Sequence, residues 1–208
     1  MTESVSEHSQ ENVLRALAHE IRQPLGAIES IAYYLSIVLA DSDGKHREQL
    51  TRIQQLVEQS NWILSNGLGL ADPRAAAPDT IDLEELITHL VAARPVSLDP
   101  PVECDFAPSL PLVHLDPGLG RALIENLLGL FRHLATETHP AQIRARAAQD
   151  GVELEVSTGA PDYRSLASLP PGSGLSLDSA RHIATLHGGS CTWLIDPASG
   201  IRVRVMLP

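Results

Sequence analysis

The sequence predicts an α+β protein in two parts. An antiparallel helical hairpin pairs with a second copy into a four-helix bundle, and an α/β sandwich follows it. Three features of the 208 residues carry that prediction. Apolar residues repeat at heptad spacing from Leu14 to Val38, the mark of a helix packed lengthwise against others. The run Ala71 to Thr80, Ala-Asp-Pro-Arg-Ala-Ala-Ala-Pro-Asp-Thr, interrupts the pattern as a linker. Beyond it, stretches of helical and strand periodicity alternate with turn signals.

Residues 1–10 are polar and acidic and are expected to form a disordered tail. The first helix is expected from about Glu11 to about Ala40, on the order of 45 Å long at 1.5 Å per residue. With Leu14 at position a, Leu14, Ile21, Ile28 and Leu35 share a, and Leu17, Pro24, Ile31 and Val38 share d. Asp41 to Gly44 has turn composition. The second helix carries Leu50, Ile53, Val57 and Leu64 as one stripe and Leu56, Ile63 and Leu70 as its neighbour. Two helices cannot bury both stripes, so the pattern calls for a homodimer. This places the hairpin at 11–72, the linker at 73–80 and the sandwich at 81–208.

Within the sandwich, helical spacing covers Asp82 to Ala93, Gly118 to Ala135 and Leu175 to Leu186. Period-2 alternation covers Val102 to Phe106, Gln142 to Ala148, Val152 to Ser157, Ser190 to Ile195 and Ile201 to Leu207. Asp150-Gly151 is a hairpin signal between two of these strands.

Charge and composition exclude several classes. A formal net charge of −11 argues against a nucleic-acid binder, whose footprint is a basic face. The longest near-apolar run, Ile31 to Ala40, is too short to span a bilayer, so no membrane insertion is expected. The polar, acidic N-terminus is not a signal peptide. Cys104 and Cys191 suggest neither a disulfide framework nor a metal site, and no metal ligands are expected. A cytoplasmic location follows as the expectation. The start at Met1 without a sensor segment suggests a standalone component.

His19 is the residue with chemical interest. The heptad puts it at f, away from the seam. Glu20 beside it could accept a hydrogen bond from Nδ1–H and leave Nε2 as the nucleophile. Arg15 and Arg22, at i−4 and i+3, share its face and could meet a phosphoryl group. Gln23 adds an amide at i+4, and Pro24 should bend the helix one turn on. A zinc-protease reading of His19-Glu20 fails, because Gln23 stands where a second histidine is required.

His19-Glu20-Ile21-Arg22-Gln23-Pro24-Leu25 resembles the H-box of sensor histidine kinases. The resemblance implies that His19 is phosphorylated and that Glu20 is its acid/base partner. Gln23 occupies the place where many such kinases carry Thr or Asn. The element order after the linker is similar to the ATP-binding domain of the same family, and Leu186-His187-Gly188-Gly189 matches it closely. Its nucleotide motifs are altered. Asn126-Leu127-Leu128-Gly129 is followed by Leu130 where the family has a magnesium-binding Asn, and an apolar side chain cannot ligate that ion. Ser157 and Gly159 correspond to the first glycine box, with Ser for the carboxylate and Pro161 for the second Gly. Gly172 and Gly174 retain part of the second box, and the lid between is reduced to about ten residues.

The resemblance therefore implies a histidine phosphotransferase on a degenerate kinase frame, with only a vestigial nucleotide site. His19 would carry a phosphoryl group between aspartates of response-regulator receiver domains. Magnesium would be held by the regulator, and neither ATP nor another cofactor is expected on this chain. Two alternatives remain: a divergent but active ATP-dependent kinase core, and a pseudokinase scaffold that binds a regulator without phosphotransfer.

Overall fold

The computed structural model describes residues 3–39, 44–70, 76–94, 100–159 and 165–208, giving only the backbone for 3–13, 15, 16 and 44. The chain divides into two compact units, Met1–Pro73 and Arg74–Pro208.

The first unit is a hairpin of α1 (Glu3–Val38) and α2 (Gly44–Leu70). The helix begins at Glu3 instead of about Glu11, so residues 3–10 are helical where a tail is expected. No Gly or Pro stands between Glu3 and Pro24, and acidic residues in a first turn suit the helix dipole. The run continues unbroken through Pro24. Most of the expected turn, residues 41–43, lies outside the described residues, and Gly44 opens α2.

The α1 face that meets α2 is not the apolar heptad seam. Ala18 and Ala32 are buried to 3% and 2% exposure, with Leu25 and Leu39 half-buried on the same column. These are e positions. Small side chains there let α2 approach closely through Leu50 and Val57, which are also buried. Leu14, Leu17, Ile21, Ile28, Ile31 and Val38, six of the eight a and d residues, are 42–59% exposed, and Leu35 is half-buried. On α2, Ile53 and Leu56 are exposed as well. An apolar stripe of this length left open on one chain points to a further partner surface.

The second unit starts with β1 (Asp79–Ile81) and α3 (Leu83–Ala92), then β2 (Val102–Phe106), β3 (Val113–Leu115) and α4 (Pro117–Arg132). It continues with β4 (Ala141–Ala148), β5 (Gly151–Thr158), α5 (Ser173–Leu186), β6 (Ser190–Asp196) and β7 (Gly200–Leu207). Five strands form a mixed sheet in the order β2-β4-β5-β7-β6. Only β2 and β4 run parallel. The residues at alternate positions, such as Ile143, Ala145, Leu154, Val156, Val203 and Val205, are buried beneath the helices.

Two short strands were not expected from sequence. β1 and β3 pair antiparallel, with Thr80 opposite His114. The end of the anticipated linker, Asp79 and Thr80, is therefore strand. Asp82 caps α3 by accepting from Glu85 N at 3.0 Å, and Asp116 caps α4 through Leu119 N at 2.9 Å. The β4–β5 turn centres on Gln149 and Asp150, one residue earlier than an Asp-Gly turn would. Gly151 is needed for another reason: at φ +140, a Cβ there would lie 2.0 Å from Leu207 O. No helix of the described residues is long and apolar enough to cross a membrane.

Candidate functional site

His19 is exposed on α1, one residue from buried Ala18. The heptad accounts for this placement: if e faces α2, then f is turned outward. Its Nε2 lies 3.3 Å from Gln23 Nε2, one turn on. With that amide donating, Nε2 is the acceptor and the ring proton sits on Nδ1. This is the tautomer in which Nε2 is the nucleophilic nitrogen, reached through Gln23 instead of Glu20. Glu20 is exposed and makes no hydrogen bond to His19 among the described residues. Arg22 turns to the other helix, where Nη2 donates to Ser65 Oγ at 3.1 Å. Among the described residues, Gln23 is thus the expected neighbour that touches the imidazole. The Arg15 side chain lies outside the described residues.

In the second unit, Asn126 of α4 is 4% exposed. Its Nδ2 donates to Ser176 O at 2.8 Å, and its Oδ1 accepts from Ser176 Oγ at 2.6 Å. Both ends of the amide are thus committed to α5. Leu130, one turn further along α4, is fully buried. On β5 the alternation separates Ser157 from this pair. Thr158 is the buried, helix-facing residue and donates to His139 O at 3.0 Å. Ser157 belongs to the opposite face, across from Gln142 and Arg202. Strand parity thus puts Thr158, and not Ser157, on the helix-facing side of β5. Gly159 lies near His139. Gly172, at φ +91, is the N-cap of α5, and Gly174 lies within its first turn. Residues 160–164, which include Pro161, are outside the described residues.

One further cluster escaped the sequence reading. His187 is buried at the end of α5, with Nδ1 donating to Ile183 O at 2.7 Å and Nε2 accepting from Asp116 N at 2.9 Å. Asp116 Oδ2 in turn accepts from Ala77 N at 3.1 Å. The histidine of the His-Gly-Gly run thereby fastens the start of α4 to the end of α5.

No family model matches the chain. Sensor protein KdpD of Escherichia coli K12 is 26% identical over 214 aligned residues, covering 94% of this chain and 24% of KdpD. Sensor histidine kinase ZraS of Klebsiella oxytoca is 24% identical over 210, covering 92% of this chain and 44% of ZraS. Among solved structures, full-length ShkA in complex with AMPPNP superposes with a TM-score of 0.61 at 19% identity, over 93% of this chain and 45% of that one. The fold, a helical hairpin followed by an α/β sheet unit, is shared with solved histidine kinases such as AdeS of Acinetobacter baumannii, which superposes with a TM-score of 0.56 at 16% identity over 91% of this chain and 96% of that one.

The chain spans less than half the length of these curated relatives. The resemblance to histidine kinases implies a magnesium nucleotide at Asn126, Leu130, Ser157, Gly159, Gly172 and Gly174. The residues at those positions do not fit one as they stand. Leu130 offers no oxygen to magnesium. The Asn126 oxygen accepts from the Ser176 hydroxyl, and Thr158, which is not a carboxylate, is turned to a backbone carbonyl.

Proposed function

We propose that this chain is the phosphoaccepting core of a two-component signalling protein, with His19 as the residue that carries the phosphoryl group. The observation that carries the reading is an outward imidazole whose Nε2 is an acceptor, held on a long helix of a kinase-type core. The exposed seam supports pairing with a second copy into a four-helix bundle, which would leave the f face open to a partner. That partner is a response-regulator receiver domain, whose aspartate and magnesium complete the chemistry. In transfer from a phospho-aspartate, His19 Nε2 attacks phosphorus, the N–P bond forms and the bond to the carboxylate oxygen breaks. The carboxylate leaves as an anion, and the ring keeps its Nδ1 proton. Catalysis of this kind rests on positioning and charge neutralisation.

Two sources of phosphate stand against each other. The sensor-kinase relatives favour a kinase reading, in which the second unit supplies the phosphoryl group from ATP. The Asn126–Ser176 pair and buried Leu130 favour the phosphotransferase reading, in which a receiver supplies it. Incubating the full chain with labelled ATP and magnesium, and separately with a phosphorylated receiver domain, distinguishes them. Label from the receiver alone supports the phosphotransferase, and label from ATP at His19 establishes the kinase. No label at His19 from either source removes both.

A further inference from the structure

The helix-free face of the five-stranded sheet carries charges sorted by strand. β2 contributes Glu103 and Asp105, β4 Arg144 and Arg146, β5 Glu153 and Glu155, and β7 Arg202 and Arg204. Alternation along each strand puts these residues on one face, and the register sets them side by side. The β4 arginines lie between two acidic strands. Arg146 pairs with Asp105, and Arg144 reaches Asp105 at 3.9 Å and Glu155 at 3.6 Å. The β7 arginines have an acidic strand on one side only. On the other side is the edge strand β6, which presents Thr192 opposite Arg204 and Leu194 opposite Arg202.

Glu155 must therefore serve three guanidiniums at once. Arg204 Nε donates to it at 2.8 Å, while Arg202 Nε stands 3.4 Å away and Arg144 takes its other oxygen. Its side chain is only 11% exposed beneath them. The arrangement leaves Arg202 Nε buried with no hydrogen-bond acceptor among the described residues, although its ion-pair distance to Glu155 is short. Beside it, Thr192, Leu194, Arg202 and Arg204 line an open hollow of about 120 Å³. Leu194 is 57% exposed at its rim.

We propose that this β6–β7 end of the sheet docks an acidic segment of a partner protein, with a carboxylate over Arg202 and Arg204 and apolar contact on Leu194. Charge complementarity selects the occupant: Arg144, Arg202 and Arg204 share Glu155 on a chain whose net charge is −11, so local geometry and not overall attraction must draw the anion. The apolar rim and sheet edge suit a peptide better than a free ion. The proposal does not depend on His19.

The test is binding of a fluorescent poly-glutamate peptide to the full chain at low salt, followed by anisotropy. Arg202→Gln should weaken binding about tenfold. Leu194→Glu, which sets a carboxylate opposite Arg202, should weaken it at least as much, while Arg121→Gln on α4 should leave it unchanged. Absence of binding by the parent chain, or equal binding by all three variants, would overturn the proposal. Inorganic phosphate that displaces the peptide at equal concentration would also overturn it, by showing a small-anion site.

Discussion

The two units bury their apolar residues in opposite ways. In the sandwich, Leu83, Ile87, Leu123, Leu127, Leu130 and Phe131 are almost wholly shielded within one chain. In the hairpin, Ala18, Ala32, Leu50 and Val57 are shielded within one chain, while most of the large side chains of the seam stay open. The sandwich is a closed core, whereas the hairpin leaves an apolar stripe open. The proposed bundle with a second copy would put concentration into the stability of one unit and not the other. It would also keep the f face of α1, with His19, at the surface.

The sharpest way to break that contrast is a charge on the seam. Ile28→Glu should convert the assembly to monomers in sedimentation and remove the concentration dependence of melting. An unpaired carboxylate buried in a bundle costs several kcal/mol. If the mass of the parent chain is already that of a monomer, the hairpin is not half of a shared core. In the sandwich, Leu127→Ala should cost about 2–5 kcal/mol in denaturant unfolding, and the loss should not vary with protein concentration.

A smaller effect of opposite sign is expected in the hairpin. Asn66 is 6% exposed and its Nδ2 has no acceptor among the described residues. Asn66→Leu should stabilise the helical unit by about 1 kcal/mol, read as a higher melting temperature. If the melting temperature falls instead, a partner across the bundle satisfies the amide.

The smallest effect concerns the β6–β7 turn. Asp196 is held below its usual carboxylate range by Ala198 N–H and the Ser199 hydroxyl. A lowered folded value means the contribution is present above the ordinary Asp range. It disappears as pH falls through the lowered value. After correction for intrinsic exchange, the Ala198 amide should lose protection in acid in the parent chain. The Asp196→Asn variant should lack that step.

How legible all this was depended on periodicity and length. α3, α4, β2 and β6 follow from apolar spacing and lie close to where the sequence puts them. β1 and β3 did not, because three-residue strands are too short to show alternation, and β1 begins inside a linker-like run. The e column of α1 was hidden because Ala18 and Ala32 carry little hydrophobic weight, although their small size sets the helix approach. Ser157 was read from a motif, whereas parity along β5 turns Thr158 to the helices. The charge stripes were present as alternating letters in Gln142 to Arg146, Glu153 to Glu155 and Arg202 to Arg204. Their pairing needed the register. At the His19 site the imidazole and its outward face were readable, but rotamers decided which neighbour touches it, and those settled on Gln23 rather than Glu20 or Arg22.

The most direct test of the central claim is detection of acid-labile phosphate on the full chain after exposure to ATP–magnesium or to a phosphorylated receiver. One phosphoryl group, mapped to His19 and lost in His19→Gln, is the predicted result. Phosphate that persists in His19→Gln, or a chain that takes none from either donor, would contradict the account.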